Sequence, residues 1–509
     1  MCFLLLSAPA AAQETDAEKI LDAAGITGGL VVHVGCGDGK LTAALRAGDR
    51  YLVHGLDTDA ANVAKAREHI QSLDLYGPVS AATFDGEHLP YTDNLVNLVV
   101  SEDLGPGTPG MDEILRVLAP LGVAMVGGKK TVKPWPQDID QWQQYLHDAD
   151  NNAVAHDTVV GPPRHLQWVG DPAWSRSHMS IPTVVAMVSA RGRLLTIEDR
   201  ATPENPFLPG RFRLVARDAF NGVPLWQHDF AVWEPVTRYV KDIAIQLQRR
   251  LAAIGDTVYC TPGLEAPLTA FDAPTGKVIK TYKGTERTQE FACEAGVLYA
   301  VIGDRMNAAR YNIVKTHAGK GTNLGGYDAK APFGGTGFHR AYAPETPDRP
   351  DPVCAVVAID AESGRQLWRT KDIHGYTACT LAIRGRHAVY QTSGGLVCVS
   401  PKTGETIWNV EKAIRSGDGT EANTVVLSDS MVYAKEGKTL HAYSLKDGSE
   451  KWTGPIANNY EKAADLFLAA GAVWTGGSKQ PAGYDPETGK KTKTISQRMT
   501  GPKIGRAHV

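Results

Sequence analysis

The sequence predicts a multidomain chain: a doubly wound α/β domain followed by an all-β propeller of six to eight blades. Three observations carry this. Between residues 14 and 128, strand-like apolar runs alternate with helical runs, and a glycine-rich turn at 35–39 follows the first strand. From about 166 to 503 one turn unit recurs at near-regular spacing. The 52 glycines in 509 residues suit a chain rich in tight turns.

The clearest copy of the turn unit is Val356–Trp368: an apolar strand, Asp360, a short turn closed by Gly364, a second strand and Trp368. The Asp side chain can accept backbone N–H bonds across the turn, and Gly supplies a positive φ without steric cost. Variants carry Asp218, Gly222 and Trp226; Asp272 and Gly276; Gly404 and Trp408; Asp447, Gly448 and Trp452; and Asp485 and Gly489. Successive glycines lie 54, 88, 40, 44 and 41 residues apart. A period of roughly 40–45 residues with four short strands is what a propeller blade requires. The 88-residue step predicts an insertion at about 304–352 inside one blade, flanked by the paired strands Gly296–Gly303 and Cys354–Asp360. A β-sandwich reusing one turn type would not hold that spacing. The unit resembles the repeat of pyrroloquinoline-quinone (PQQ)-type propellers, Ala-x-Asp-x-x-Thr/Ser-Gly-x-x-x-Trp, over about Trp168 to Ser496. Non-catalytic scaffold propellers of bacterial envelopes share this repeat, so the resemblance implies a protein partner as readily as a quinone. A PQQ-dependent oxidoreductase would commonly carry adjacent cysteines. None of the seven cysteines are adjacent, which disfavours PQQ.

In the first domain, Asp16–Ala24 reads as a helix with Ile20, Leu21 and Ala24 on one side. A buried strand then runs into Gly35-Cys36-Gly37-Asp38-Gly39, and Lys40–Arg46 starts a helix. Strand Tyr51–Leu56 ends in Asp57, where a carboxylate can accept both ribose hydroxyls of a nucleoside. Helix Asn62–Leu73, strand Val79–Phe84, the turn Asp85-Gly86-Glu87, strand Leu95–Ser101, helix Met111–Leu118 and strand Gly122–Val126 complete the alternation. The order, with Asp85-Gly-Glu-His-Leu-Pro90 and Glu113-Ile-Leu-Arg-Val-Leu-Ala-Pro-Leu-Gly122, resembles a Rossmann-like class I S-adenosylmethionine (SAM)-dependent methyltransferase of the type 11 kind. The resemblance implies that SAM lies over Gly35, Cys36, Gly37 and Gly39. It implies that Asp57 holds the ribose, and that Asp85 with Gly86 meets the adenine. Three departures stand out. His33 replaces the family's acid two residues before the first glycine, Val96-Asn97 replaces its Phe-Asp, and the chain enters Lys129–Pro136 as a linker where the family continues with two strands. The rivals for the glycine turn are an NAD-type site, which would need a third glycine at Lys40 or Thr42, and an inherited fold that binds nothing.

A net charge of −3 gives no case for nucleic acid or an anionic membrane, and no segment reaches the ~18–20 apolar residues of a transmembrane helix. Residues 1–13 read as the end of a clipped signal peptide, which predicts a periplasmic or otherwise exported protein. A cytoplasmic location is the alternative, because SAM is made in the cytosol. Residues 504–509 match an in-frame sequencing adapter and read as non-native. Cys293 and Cys354 can pair in an exported chain or remain packed thiols. The junction, 129–165, predicts a short amphipathic helix on Trp142, Tyr145 and Leu146. His147, Asp148, Asp150, His156 and Asp157 have ligand chemistry at irregular spacing, so a polar junction without metal is expected. A helix-like run at Arg238–Leu251 leaves Arg249 and Arg250 solvated, and the insertion residues His317, Lys320, His339 and Tyr342 receive no role. The functional expectation is a SAM-dependent methyltransferase whose propeller recruits an unknown methyl acceptor. A scaffold propeller with a vestigial first domain is the alternative, and a quinoprotein oxidoreductase ranks last.

Overall fold

A computed structural model of the chain describes residues 8–102, 105, 107–161, 165–173, 183–201, 211–230, 245–263, 266–303, 353–411, 424–456, 466–476 and 481–494. In the first domain, α1 (Ala8–Ala24) presents Ala17, Leu21 and Ala24, with Ile20, to one core cluster. It begins eight residues before the expected helix. Strands β1 (Gly29–Val34), β2 (Tyr51–Asp57), β3 (Val79–Thr83), β4 (Val96–Ser101) and β5 (Leu118–Val126) are parallel, in the order β3-β2-β1-β4-β5. Helices α2 (Lys40–Ala44), α3 (Ala60–Ser72) and α4 (Met111–Val117) connect them. The order reverses beside β1, and such a switch point opens a ligand crevice at the strand C-termini.

The linker expected from Lys129 is corrected. Lys129–Val132 forms β6, antiparallel to β5, with Val126 opposite Lys129. Gly127 and Gly128 have φ of 55° and 72°, the backbone that a two-residue hairpin turn demands. The Gly-Gly pair was the signal for this strand.

The propeller has six antiparallel sheets among the described residues, at 184–229, 251–281, 288–374, 382–411, 425–455 and 466–494; five are four-stranded, and the third gains a fifth short strand, Ile373–His374, paired with Val353 and Cys354. In the third, Val297–Gly303 pairs with Val353–Asp360 across the insertion, as the spacing predicted. The insertion itself, with His317, Lys320, His339 and Tyr342, lies outside the described residues. Each blade shares an apolar cluster with the next, from blade 1 with 2 through blade 5 with 6.

The repeat glycine and tryptophan belong to one cross-blade contact. Trp226 of blade 1 donates its Nε1–H to Ala273 O of blade 2 at 2.7 Å, and its ring covers Gly276, where a Cβ would lie 2.5 Å away. Trp368 covers Gly404, Trp408 covers Gly448 and Trp452 covers Gly489 in the same way. Trp168, ahead of blade 1, covers Gly222 and donates to Ala219 O at 3.0 Å. Where blade 2 carries Lys280 in place of the indole, Tyr282 donates its hydroxyl to Ala361 O at 2.7 Å.

The junction has no helix at Trp142–Leu146, which corrects the expectation. Its backbone is spent on the propeller. Trp142 O accepts from Ser189 N–H of blade 1, and Gln143 O from Ala253 N–H of blade 2. The Gln144 side chain pairs with the backbone of Cys293 in blade 3. Ala149 O accepts from Ile383 N–H of blade 4, and Asp150 O from Leu427 N–H of blade 5. Asn152 pairs with Leu468 of blade 6. One segment therefore touches the first strand of all six blades in turn. Arg249 and Arg250 are buried, not solvated: Arg249 donates to Asn151 Oδ1 at 2.8 Å and lies 3.3 Å from Glu290 Oε2. The run before them is a 3-10 helix, Ile245–Arg250. Cys293 and Cys354 are buried on the first and third strands of blade 3, with a strand between them, so the two do not pair with each other.

The two domains meet at the N-terminal ends of β1 and β4. Asn97 Nδ2 donates to Asp218 Oδ2 at 2.6 Å, and Asn97 Oδ1 accepts from Leu30 N–H at 2.8 Å and Asn221 Nδ2 at 2.7 Å. This explains the departure at 97: an aspartate there would face the buried Asp218 carboxylate, whose pKa burial already raises. Asn97→Asp is expected to lower stability at pH 7 by roughly 2–3 kcal/mol, with partial recovery in acid as the pair takes up a proton. Urea denaturation at both pH values measures it.

Candidate functional site

The crevice is built on the turn between β1 and α2. Gly35, Gly37 and Gly39 have φ of 79°, 53° and 78°, backbone that only glycine adopts without strain. Their open faces differ. A Cβ on Gly35 or Gly37 would meet nothing within 4 Å, so a ligand can approach that backbone. A Cβ on Gly39 would lie 2.7 Å from Ala66 Cα. Gly39 therefore lets α3 pack against the turn on that side. The Cys36 side chain is buried against Gly55, and burial, then Asp57, pushes its thiol up to about 11. Only its backbone belongs to the turn.

Asp57 ends β2 and is mostly buried. Its Oδ2 accepts from Gly37 N–H at 3.0 Å, and its Oδ1 from Asp59 N–H at 2.9 Å. Asn62 Nδ2 is 3.4 and 3.3 Å from the two oxygens. A carboxylate has about four acceptor sites. The two backbone bonds fix its orientation, and the long Asn62 contacts are the ones a hydroxyl can displace. Phe84 N–H donates to Asp57 O at 3.2 Å, which sets the following loop beside this carboxylate.

That loop carries Asp85 and Gly86. Asp85 Oδ1 accepts from the N–H groups of Glu87 and His88 at 2.8 and 2.7 Å, and its Oδ2 lies 3.1 Å from His88 Nδ1. Those backbone bonds, from His88 and then Glu87, hold its carboxyl below the usual range. Asp85 thus shapes its own turn first. Gly86 lies against Gly107 and Thr58, so the loop after β4 crosses this edge of the crevice. The quoted Glu113…Arg116 stretch has a physical task here: Glu113 accepts from Leu89 N–H at 2.7 Å, and Arg116 donates to Asp93 and to Tyr91 O. Together they clamp the Asp85 loop to α4.

His33, the departure from the acidic position, is buried on β1 with Nδ1 2.8 Å from Thr42 Oγ1. Burial lowers its pKa to about 4, against the opposing pull of Asp57. The imidazole is neutral in the folded protein. An unfolded chain accepts this proton below about pH 6.5, so the stabilisation is complete above that value and is lost as pH falls toward 4. The loss should total about 3 kcal/mol. His33→Gln should flatten that part of the pH–stability curve, which denaturation between pH 4 and 7 reads.

Residues 31–122 match the model of a methyltransferase domain family. Residues 354–505 match a family described as outer membrane protein assembly factor BamB. The chain joins a methyltransferase-like domain to a PQQ-type, BamB-like propeller. Among solved structures, the methyltransferase domain is similar to a putative SAM-dependent methyltransferase from Methanococcus maripaludis, at 27% identity over 23% of this chain and 54% of that one, TM-score 0.21. It is also similar to a SAM-dependent methyltransferase from Aquifex aeolicus, at 24% over 23% and 65%, TM-score 0.21. The propeller is similar to BamB from Moraxella catarrhalis, at 11% over 59% and 66%, TM-score 0.31. The chain spans between about half and two thirds of the length of these proteins. No curated protein matches it. Among the described residues of the methyltransferase domain and propeller, no helix is long and apolar enough to cross a membrane.

Proposed function

We propose that the methyltransferase domain binds S-adenosylmethionine and transfers its methyl group to an acceptor, and that the propeller binds a protein partner in the cell envelope. One observation carries the cofactor reading: the open backbone faces of Gly35 and Gly37 lie beside a carboxylate oriented by the Gly37 N–H itself. Gly35, Gly37 and the Cys36 backbone form the floor, Asp57 grips the ribose hydroxyls, and Asp85 with Gly86 borders the adenine end. Bound SAM supplies a methyl on a sulfonium, open to in-line displacement by a nucleophile; alignment is then the chain's main task.

The propeller grips the N-terminal ends of β1 and β4, the opposite end of the sheet from Gly35 and Asp57. Among the described residues, these contacts lie away from the crevice. Calorimetry of the full chain with SAM tests the reading. One saturable site per chain is expected, and absence of heat, with no binding by equilibrium dialysis, overturns it. An exported location is tested separately by N-terminal sequencing of the mature protein after fractionation.

A further inference from the structure

The junction segment does more than touch the blades. It runs out along blades 1 to 3 through Trp142–Gln144, continues along blades 4 to 6 through Ala149–Asn152, and returns until Thr158 N–H donates to Asp138 O at 3.0 Å. This closed path brings His156 back beside His147 and Asp148. One ring nitrogen each of His147 and His156 and an Asp148 carboxylate oxygen all lie within 4.8 Å of one another.

Asp140 prepares the set. Its Oδ2 lies 2.7 Å from His147 Nε2 and accepts the His156 backbone N–H at 2.6 Å. A proton on Nε2, held by this carboxylate, leaves Nδ1 as the lone-pair nitrogen; carboxylate–imidazole pairs orient metal-binding histidines in this way. His147 is 97% buried, at 3% exposure, and Nδ1 makes no hydrogen bond. Asp148 Oδ2 nevertheless lies 2.9 Å from it, so a proton or a metal ion has to stand between this nitrogen and the carboxylate. Such a pair repels unless a cation stands between or beside the two atoms. His156 Nε2 is 3.9 Å from the same oxygen, and its ring, largely exposed, stands edge-on to that of His147 with centroids 5.2 Å apart. In a tetrahedral zinc site with bonds of about 2.0–2.1 Å, ligand atoms stand roughly 3.3 Å apart. The two separations of 2.9 and 3.9 Å bracket that value.

We propose that His147 Nδ1, Asp148 Oδ2 and His156 Nε2 bind one divalent transition-metal ion of the zinc class, with a fourth position open to solvent. The ion ties the outgoing limb of the junction, fixed to six blades, to its returning limb. Neither the cofactor crevice nor the repeat is involved, so the proposal stands or falls independently of methyl transfer.

The test uses the full chain, stripped with chelator and dialysed, then titrated with Zn2+ alone by calorimetry and with Co2+ by absorption. One site per chain with a micromolar or tighter Kd is expected, with Co2+ bands typical of four-coordinate nitrogen and oxygen ligands. His156→Gln, at an exposed position, should weaken binding at least 10-fold without unfolding the protein, and Asp140→Asn should weaken it about 10-fold through the lost orientation of His147. Absence of saturable binding overturns the proposal. So does binding that His156→Gln leaves unchanged, which would assign the ion to other histidines. Nitrogen NMR showing His147 protonated on both ring nitrogens with Zn2+ in excess would overturn it as well, because a proton would then be the cation.

Discussion

Trp408→Ala should be among the most damaging single substitutions, lowering stability by about 3–5 kcal/mol. The indole is buried between blades 4 and 5, with Nε1 donating to Leu445 O at 2.9 Å. Its ring sits on Gly448, where a Cβ would come within 2.8 Å of Cε3. Truncation therefore opens a cavity, strips a buried carbonyl of its donor and uncovers the next turn in one step. Gly448→Ala attacks the same contact from the other side. Its φ of 72° strains any L side chain, and the new methyl strikes the ring. Neither change touches the crevice, so thermal unfolding should fall sharply while cofactor affinity at low temperature is unchanged. A Trp408→Ala melting curve overlying that of the unmutated protein would contradict the account of the repeat. Blade 2 already shows which part is essential. Tyr282 replaces the indole yet still donates to a turn carbonyl of the following blade.

That contact also marks how far the sequence could be read. The spacing of Gly222, Gly276, Gly364, Gly404, Gly448 and Gly489 was enough for the blades, and the double step before Gly364 located the insertion, because each turn is local. The partner of each tryptophan was not legible, since it lies in the next blade. The α/β order was legible for the same local reasons, and so was the placing of Asp57 at a strand end. The packing use of Gly39 was not legible: its missing side chain makes room for Ala66, 27 positions on, and no spacing rule separates that use from ligand approach. The junction was least legible. Trp142, Tyr145 and Leu146 carry a helical period, but six blades compete for the backbone and the side chains around them, and tertiary hydrogen bonds override a weak local preference. His147, Asp148 and His156 meet only because that path closes on itself.

Asp57→Ala should lower affinity for S-adenosylhomocysteine by roughly 100-fold or more, because two losses coincide. The carboxylate is the acceptor for the ribose hydroxyls, and hydrogen bonds to a charged group contribute about 1.5–3 kcal/mol each. It also holds Gly37 N–H at 3.0 Å, so its removal releases the turn whose open face the ligand would cover. Asp57→Asn separates the two effects. Its amide oxygen can still receive the Gly37 N–H, but the charge and one acceptor are gone, so an intermediate loss of about 10-fold is expected. Asn62→Ala is the opposing control. Asn62 approaches both carboxylate oxygens only at 3.3–3.4 Å and competes with a bound ribose for them. Removing it should leave affinity unchanged or tighten it a few-fold. If Asn62→Ala weakens binding as much as Asp57→Ala while the fold is retained, the ribose does not rest on this carboxylate, and the crevice recognises its ligand by another route.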